Sequence, residues 1–175
     1  MAETEPAVAG RTVGSPGLRR WAVVCVLFLV QMANWVDKSV VGFAATHIMD
    51  EFGLSNEEYG LLGGAFYSLY AVAGLVVAFF IAPRFKARHI LIVLIICWSI
   101  VQMPVVLWAT FPVLVVSRML LGMGEGAATP TTLNAAHEWF PDKERAMPTA
   151  IITFGAVAGA MTAAPVLTAI IETYE

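Results

Sequence analysis

The sequence predicts an all-α membrane protein with five transmembrane helices, and three observations predict it. Of 175 residues, 59% are hydrophobic and only 13% are charged, against about 25% charged in soluble domains. The apolar residues fall into five runs separated by short polar gaps. Each run is about as long as the ~20 helical residues that cross a ~30 Å hydrocarbon core. Four ionisable residues, Asp37, Lys38, Arg118 and Glu125, stand inside such runs. A charge at that depth costs roughly 2.5–3.5 kcal/mol on insertion scales, so it faces a protein interior or an aqueous cavity and marks a functional path.

Residues 1–18 are polar and contain Pro6, Gly14, Pro16 and Gly17. They cannot bury a core, and a disordered tail is expected. Residues 19–175 form the membrane domain. Arg19 and Arg20 precede the apolar run Trp21–Val30 as in a signal peptide, but no small-residue cleavage site follows and more apolar runs do. An uncleaved first span over about 21–43 is therefore expected. The second span covers about 58–82, with Ser55 or Asn56 as N-cap and Glu57 and Glu58 in the first turn. The third covers about 90–109. The fourth covers about 112–136 and starts at Phe111-Pro112, where proline is tolerated at the first helical position. The fifth covers about 147–171.

Glycines at helical spacing predict close packing between spans. Tyr59, Gly63, Tyr67, Tyr70 and Gly74 share one face of the second span. Gly122 and Gly126 pair on the fourth, Gly155 and Gly159 on the fifth. Cys25 and Cys97 lie in separate runs, form no disulfide framework, and are read as small buried hydrophobes.

Basic residues set the orientation. Of ten lysines and arginines, eight lie in the N-terminal segment (Arg11, Arg19, Arg20), the gap after the second span (Arg84, Lys86, Arg88) and the gap after the fourth (Lys143, Arg145). Five alternating spans put all three on one side. The gap after the first span holds Asp50, Glu51, Glu57 and Glu58 and no basic residue. The positive-inside rule then places the N-terminus in the cytoplasm of a multi-pass protein of the cell membrane.

The polar residues inside the spans form stripes. Gln31, Asn34, Asp37 and Lys38 share one side of the first span. Asp37 lies ~24 Å along the helix from Trp21, in the outer half of the membrane. Asp37 and Lys38 either line an interior or snorkel at the outer interface. Arg118 and Glu125 are seven residues apart, nearly two turns, so they face the same way about 10 Å apart along the axis. They form either a structural ion pair or a proton-exchanging site whose acid answers when its cationic partner moves. Lys38 and Arg118 attract a carboxylate solute and repel a cation. Tyr67, Tyr70, Asn34 and Gln31 can then donate to hydroxyls on that solute. His47, His89 and His137 lie in or near loops, without metal-ligand or nucleophile spacing. Neither an enzyme, a metal, a cofactor nor a nucleic-acid partner is expected.

Three stretches resemble the major facilitator superfamily, and within it the anion:cation symporters that include sialin-like and sugar-acid carriers. NWVDK (Asn34–Lys38) resembles the pattern of their first helix, and AFYSLY (Ala65–Tyr70) that of their second. RMLLGMGEGAATP (Arg118–Pro130), with EWFPDKERA (Glu138–Ala146), resembles their fourth helix and the following loop. The resemblance implies that Asp37 and Glu125 are the protonatable pair coupling proton flow to solute movement. It implies that Lys38 holds the solute's carboxylate, that Tyr70 lines the same site, and that Arg118 pairs with Glu125 in one state and releases it in another.

Three departures stand out. Lys38 occupies a position where known members mostly have arginine, and a lysine cannot hold a carboxylate bidentately. In AFFIAPRFKAR (Ala78–Arg88), Pro83 stands where the family pattern has an aspartate and Lys86 where it has a glycine. The family fold has two six-helix halves with the site between them, whereas this chain supplies five spans. The expectation is proton-coupled symport of a small organic anion, a sugar acid or carboxylate, by the N-terminal part of a longer carrier. The missing C-terminal half then comes from the same or another chain, and the five spans alone do not transport. The alternative is a non-transporting remnant, or a partner-binding membrane subunit, that keeps the fold.

Overall fold

A computed structural model describes residues 17–174. It is helical throughout the spans, with no strand among the described residues. Helix α1 covers Leu18–Phe43, α2 Ala45–Phe52, α3 Asn56–Val76, α4 Ala87–Leu107, α5 Phe111–Glu125, α6 Ala128–His137 and α7 Ala146–Tyr174. Five units are long and apolar enough to cross a membrane: Leu18–Phe43, Asn56–Ile81, Ala87–Leu107, Phe111–His137 and Ala146–Ile170. All five expected spans are present, with ends displaced by up to three residues. Of the expected tail, residues 1–16 lie outside the described residues, and α1 already begins at Leu18.

Local sequence explains the helix ends. Ser55 caps α3: its hydroxyl accepts from the Glu58 N–H at 3.3 Å, and the Glu58 carboxylate accepts from the Ser55 N–H at 2.9 Å. Thr110 precedes α5, and Pro112 sits in its first turn, where a missing N–H costs nothing. At the other end of α3 the bond from the Ala82 N–H reaches back five residues to the Val77 carbonyl at 2.8 Å, so the span closes on a π turn over Val77–Ile81.

The fourth span differs from the expected continuous helix. It breaks at Gly126–Ala127 into α5 and α6. Pro130 accounts for the break, because it has no N–H to offer the Gly126 carbonyl four residues earlier. A short helix also occupies part of the gap after the first span: α2, ended by Gly53 at φ 61°.

Two glycine-seated helix pairs build the bundle. A methyl group placed on Gly122 or Gly126 of α5 and its C-terminal end would lie 1.9 Å from the Phe66 carbonyl oxygen and 2.0 Å from that of Tyr70. Backbones of the second and fourth spans therefore touch there. A methyl on Gly155 or Gly159 of α7 would lie 2.6 Å from the Phe28 oxygen and 2.3 Å from the Met32 oxygen, so α7 touches α1 in the same way. Without a hydrophobic drive between helices in lipid, such backbone approach is what dispersion and carbonyl contacts need. Helix α4 packs on α5 and α6, and α6 on α1, joining the two pairs. Gly63, expected to do the same, has nothing within 4 Å of its Cβ position and opens onto a cavity instead.

A small dry core of Val24, Leu27, Leu91, Ala136, Phe140 and Ile152 closes the end that carries the basic loops. There Arg20 pairs with Glu144 at 2.8 Å and lies 5.0 Å from the Phe140 ring centroid. Glu138 accepts from the Ala87 N–H at 3.3 Å, tying the start of α4 to the end of α6. Ile92, Ile96, Ile100, Phe154 and Met161 point outward, as the lipid face of a bundle requires. Cys25 and Cys97 also point outward and are free, correcting the expectation that they are buried. In a bundle this thin, one side of nearly every span meets lipid.

Candidate functional site

The polar stripe of α1 turns inward. Gln31 and Asn34 are 2% and 0% exposed, and Glu125, the last residue of α5, is 0% exposed. Glu125 lies between the glycine contacts at 122 and 126, which seat its turn against α3. Lys38 reaches from α1 and places Nζ 3.1 Å from Glu125 Oε2. The same ammonium donates to Asn34 Oδ1. It lies 5.4 Å from the Trp35 ring centroid and 5.3 Å from that of Tyr70. Four partners thus surround one charge, the dense pairing that a buried ammonium requires.

Asp37 completes an acid pair. It stands close enough to Glu125 for the two carboxyls to repel each other when both are ionised. Neither group can donate to the other unless one carries a proton. The pair expected from sequence spacing, Arg118 with Glu125, is not closed: Lys38 holds Glu125, and Arg118 makes no ion pair among the described residues. Spacing along one helix placed both side chains on one face but said nothing of a competing cation on α1.

Arg118 instead lines a cavity of about 230 Å³ between α1, α3 and α5. Lys38, Tyr59, Gly63, Phe66 and Tyr67 share its wall. Tyr59 donates to the Val41 carbonyl at 2.7 Å, so its hydroxyl is already engaged. Phe66, Tyr67 and Tyr70 form an aromatic cluster with ring centroids 5.0 to 6.2 Å apart. Tyr67 is 66% exposed on the open side, while Tyr70 packs over Lys38. The structure therefore gathers Asp37, Lys38 and Tyr70, each partly buried, around the fully buried Asn34 and Glu125, with Arg118 and Tyr67 in the adjoining cavity. One partner, Thr129, escaped the sequence reading of this cluster. Gln31 donates to Thr129 Oγ1 at 2.9 Å, and Thr129 lies one turn beyond Glu125. Its signal was a threonine four residues after the intramembrane acid.

Known proteins carry similar sequences. Residues 27–175 match the profile of the Major Facilitator Superfamily. A hexuronate transporter of Bacillus subtilis is 30% identical over 148 residues, covering 83% of this chain and 34% of that protein. A probable sulfoacetate transporter of Cupriavidus necator is 32% identical over 149 residues, covering 85% of this chain and 34% of that protein. A D-galactonate transporter of Escherichia coli is 29% identical over 152 residues, covering 87% and 35%. The chain spans about a third of the length of the curated relatives it matches.

Proposed function

The chain belongs to the Major Facilitator Superfamily, whose members are multi-pass membrane transporters rather than enzymes, and on that premise we propose that it forms the N-terminal part of a carrier that moves a small organic anion together with protons. The observation that carries this proposal is the buried Glu125, paired with Lys38 and neighboured by Asp37, beside an Arg118 that makes no ion pair among the described residues. With both acids ionised the four charges sum to zero. A proton added to the acid pair leaves one positive charge in excess, and burying net charge is costly. A carboxylate on Arg118 restores the balance. Proton and anion thus favour each other's presence, which is the coupling a symporter needs.

The roles divide by geometry. Asp37 and Glu125 hold the proton. Arg118 and Lys38 attract the anion, with Arg118 free to bind it first and Lys38 available once Glu125 is neutral. Tyr67, Tyr70 and Asn34 are the donors for its hydroxyls. Hexuronate, sulfoacetate and D-galactonate, the solutes in the relatives' names, are all small anions. The carrier lies in the cell membrane with its N-terminus in the cytoplasm, on the strength of the basic loops. The remaining wall of the site comes from the second half of the carrier.

Proteoliposomes holding the complete carrier test this. Radiolabelled D-glucuronate or D-galactonate should enter saturably under an inwardly acid gradient and stop on addition of a protonophore. Uptake blind to the gradient overturns proton coupling, and absence of competition among organic anions overturns the solute class.

A further inference from the structure

Helices α1 and α3 both wall the cavity of about 230 Å³, and their backbones scarcely meet. The two ends of the bundle are held very differently. At the end with the basic loops, the dry core of Val24, Leu91 and Ile152, the Arg20–Glu144 pair and Glu138 on the start of α4 close it. At the other end one hydrogen bond crosses from α3 to α1: Tyr59 Oη donates to the Val41 carbonyl at 2.7 Å. No other hydrogen bond joins these two helices among the described residues. Val41 belongs to the last turn of α1, where carbonyls run out of N–H partners from their own helix. The bond therefore completes α1 and ties it to α3 at once.

Tyr59 and Val41 both line the cavity, as does Gly42 beside Val41. The helix around Tyr59 is loosely held. Gly60, Gly63 and Gly64 follow it closely, and a methyl placed on any of them, or on Gly42, would meet nothing within 4 Å. No neighbouring backbone seats α3 there, in contrast to its contact with Gly122 and Gly126. Glycines inside a helix also leave it weaker.

We propose that Tyr59 is the outer clasp of this cavity. Bonded to Val41, it holds the ends of α1 and α3 together beside Arg118. Released, it lets them part, and the cavity opens on the side away from the basic loops. Water entering there takes over the carbonyl and the phenol, so hydrogen bonds are exchanged rather than lost and little opposes release. Lys38 lies one turn before Val41, and its pair with Glu125 holds the same stretch of α1. Release of Lys38 and release of the clasp thus loosen one helix end. Tyr59 is a positioning residue, acting through the end of α1. That the opening admits the solute rests on the cavity being the solute's site; the clasp itself does not.

Cysteine labelling of the complete carrier in intact cells tests the clasp. Leu62 is 1% exposed and lines the cavity. In an otherwise cysteine-free background, Leu62→Cys should react slowly with an impermeant maleimide. Adding Tyr59→Phe should speed that reaction about fivefold, the factor that one net hydrogen bond makes in a closed–open equilibrium. A cysteine at Lys86, labelled after permeabilisation, should react at one rate with and without Tyr59→Phe, whereas general loosening would speed both sites. A thermal melt shows whether Tyr59→Phe folds. Independently of it, joining Val41→Cys to Tyr59→Cys with a short bis-maleimide should stop the uptake of radiolabelled D-galactonate that the unjoined pair supports. Equal labelling of Leu62→Cys with and without Tyr59→Phe, or a joined pair that takes up solute as fast as the unjoined one, overturns the clasp. Faster labelling that saturating D-galactonate does not slow leaves the clasp standing and overturns the cavity as the site of that solute.

Discussion

Single side chains in this site are distinguished by how many partners they already have. Lys38 has four, and Arg118 has no ion pair among the described residues. Arg118→Lys should therefore act mainly on solute binding, raising KM for an anionic solute about ten- to a hundredfold, the size of one or two lost charge-assisted hydrogen bonds. Lys38→Gln should act mainly on coupling, because it frees Glu125 from its counter-charge. Concentration series of uptake, with and without the acid gradient, separate the two. Equal KM changes in both variants would show that the cations share one role. Glu125→Gln and Asp37→Asn should lose gradient-driven accumulation while retaining solute exchange, since an amide resembles the protonated acid and cannot release a proton. Accumulation at the parental level in both would remove the acids from the coupling step. The sequence disclosed that these residues share an interior, because helical spacing alone puts Asn34 with Lys38 and Arg118 with Glu125. It did not disclose who pairs with whom, since that depends on how far α1 and α5 are rotated toward each other.

At the scale of elements, the glycine seats decide where backbones meet. Gly122→Ala sets a methyl 1.9 Å from the Phe66 carbonyl oxygen. Backbone on both sides cannot yield cheaply, and a loss of about 1–3 kcal/mol is expected, read as a lower melting temperature in detergent. Gly63→Ala meets nothing within 4 Å. It should stabilise α3 by about 0.5–1 kcal/mol through helix propensity while weakening solute binding, because the new methyl projects toward the cavity. A Gly63→Ala variant as unstable as Gly122→Ala would contradict the packing. Span number and approximate ends were legible because length and apolar content fix both. The break in the fourth span was not read, although Pro130 signals it. Within a run of Gly, Ala and Thr its lost donor leaves no gap in hydropathy. The short helix α2 was hidden for the opposite reason: eight residues of mixed polarity between two spans read as loop.

At the scale of the whole molecule, the basic residues and the spans should agree on orientation. In a background free of the two outward-facing cysteines, Cys25 and Cys97, a cysteine at Ser55 should react with an impermeant maleimide in intact cells, and one at Lys86 should react only after permeabilisation. The reverse pattern would invert the protein. The contact between α1 and α7 also fixes an order of events in time. Gly155 and Gly159 seat on carbonyls of Phe28 and Met32, more than a hundred residues upstream. At ~5–20 residues per second of synthesis, the first span enters the membrane on the order of ten seconds before its partner exists. For most of that interval Gln31, Asn34, Asp37 and Lys38 have neither Glu125 nor Thr129 to meet, since both lie in the fourth span. The polar stripe of the first span therefore waits for the fourth span to be made, and the glycine-seated contact on α1 waits longer still, for the fifth.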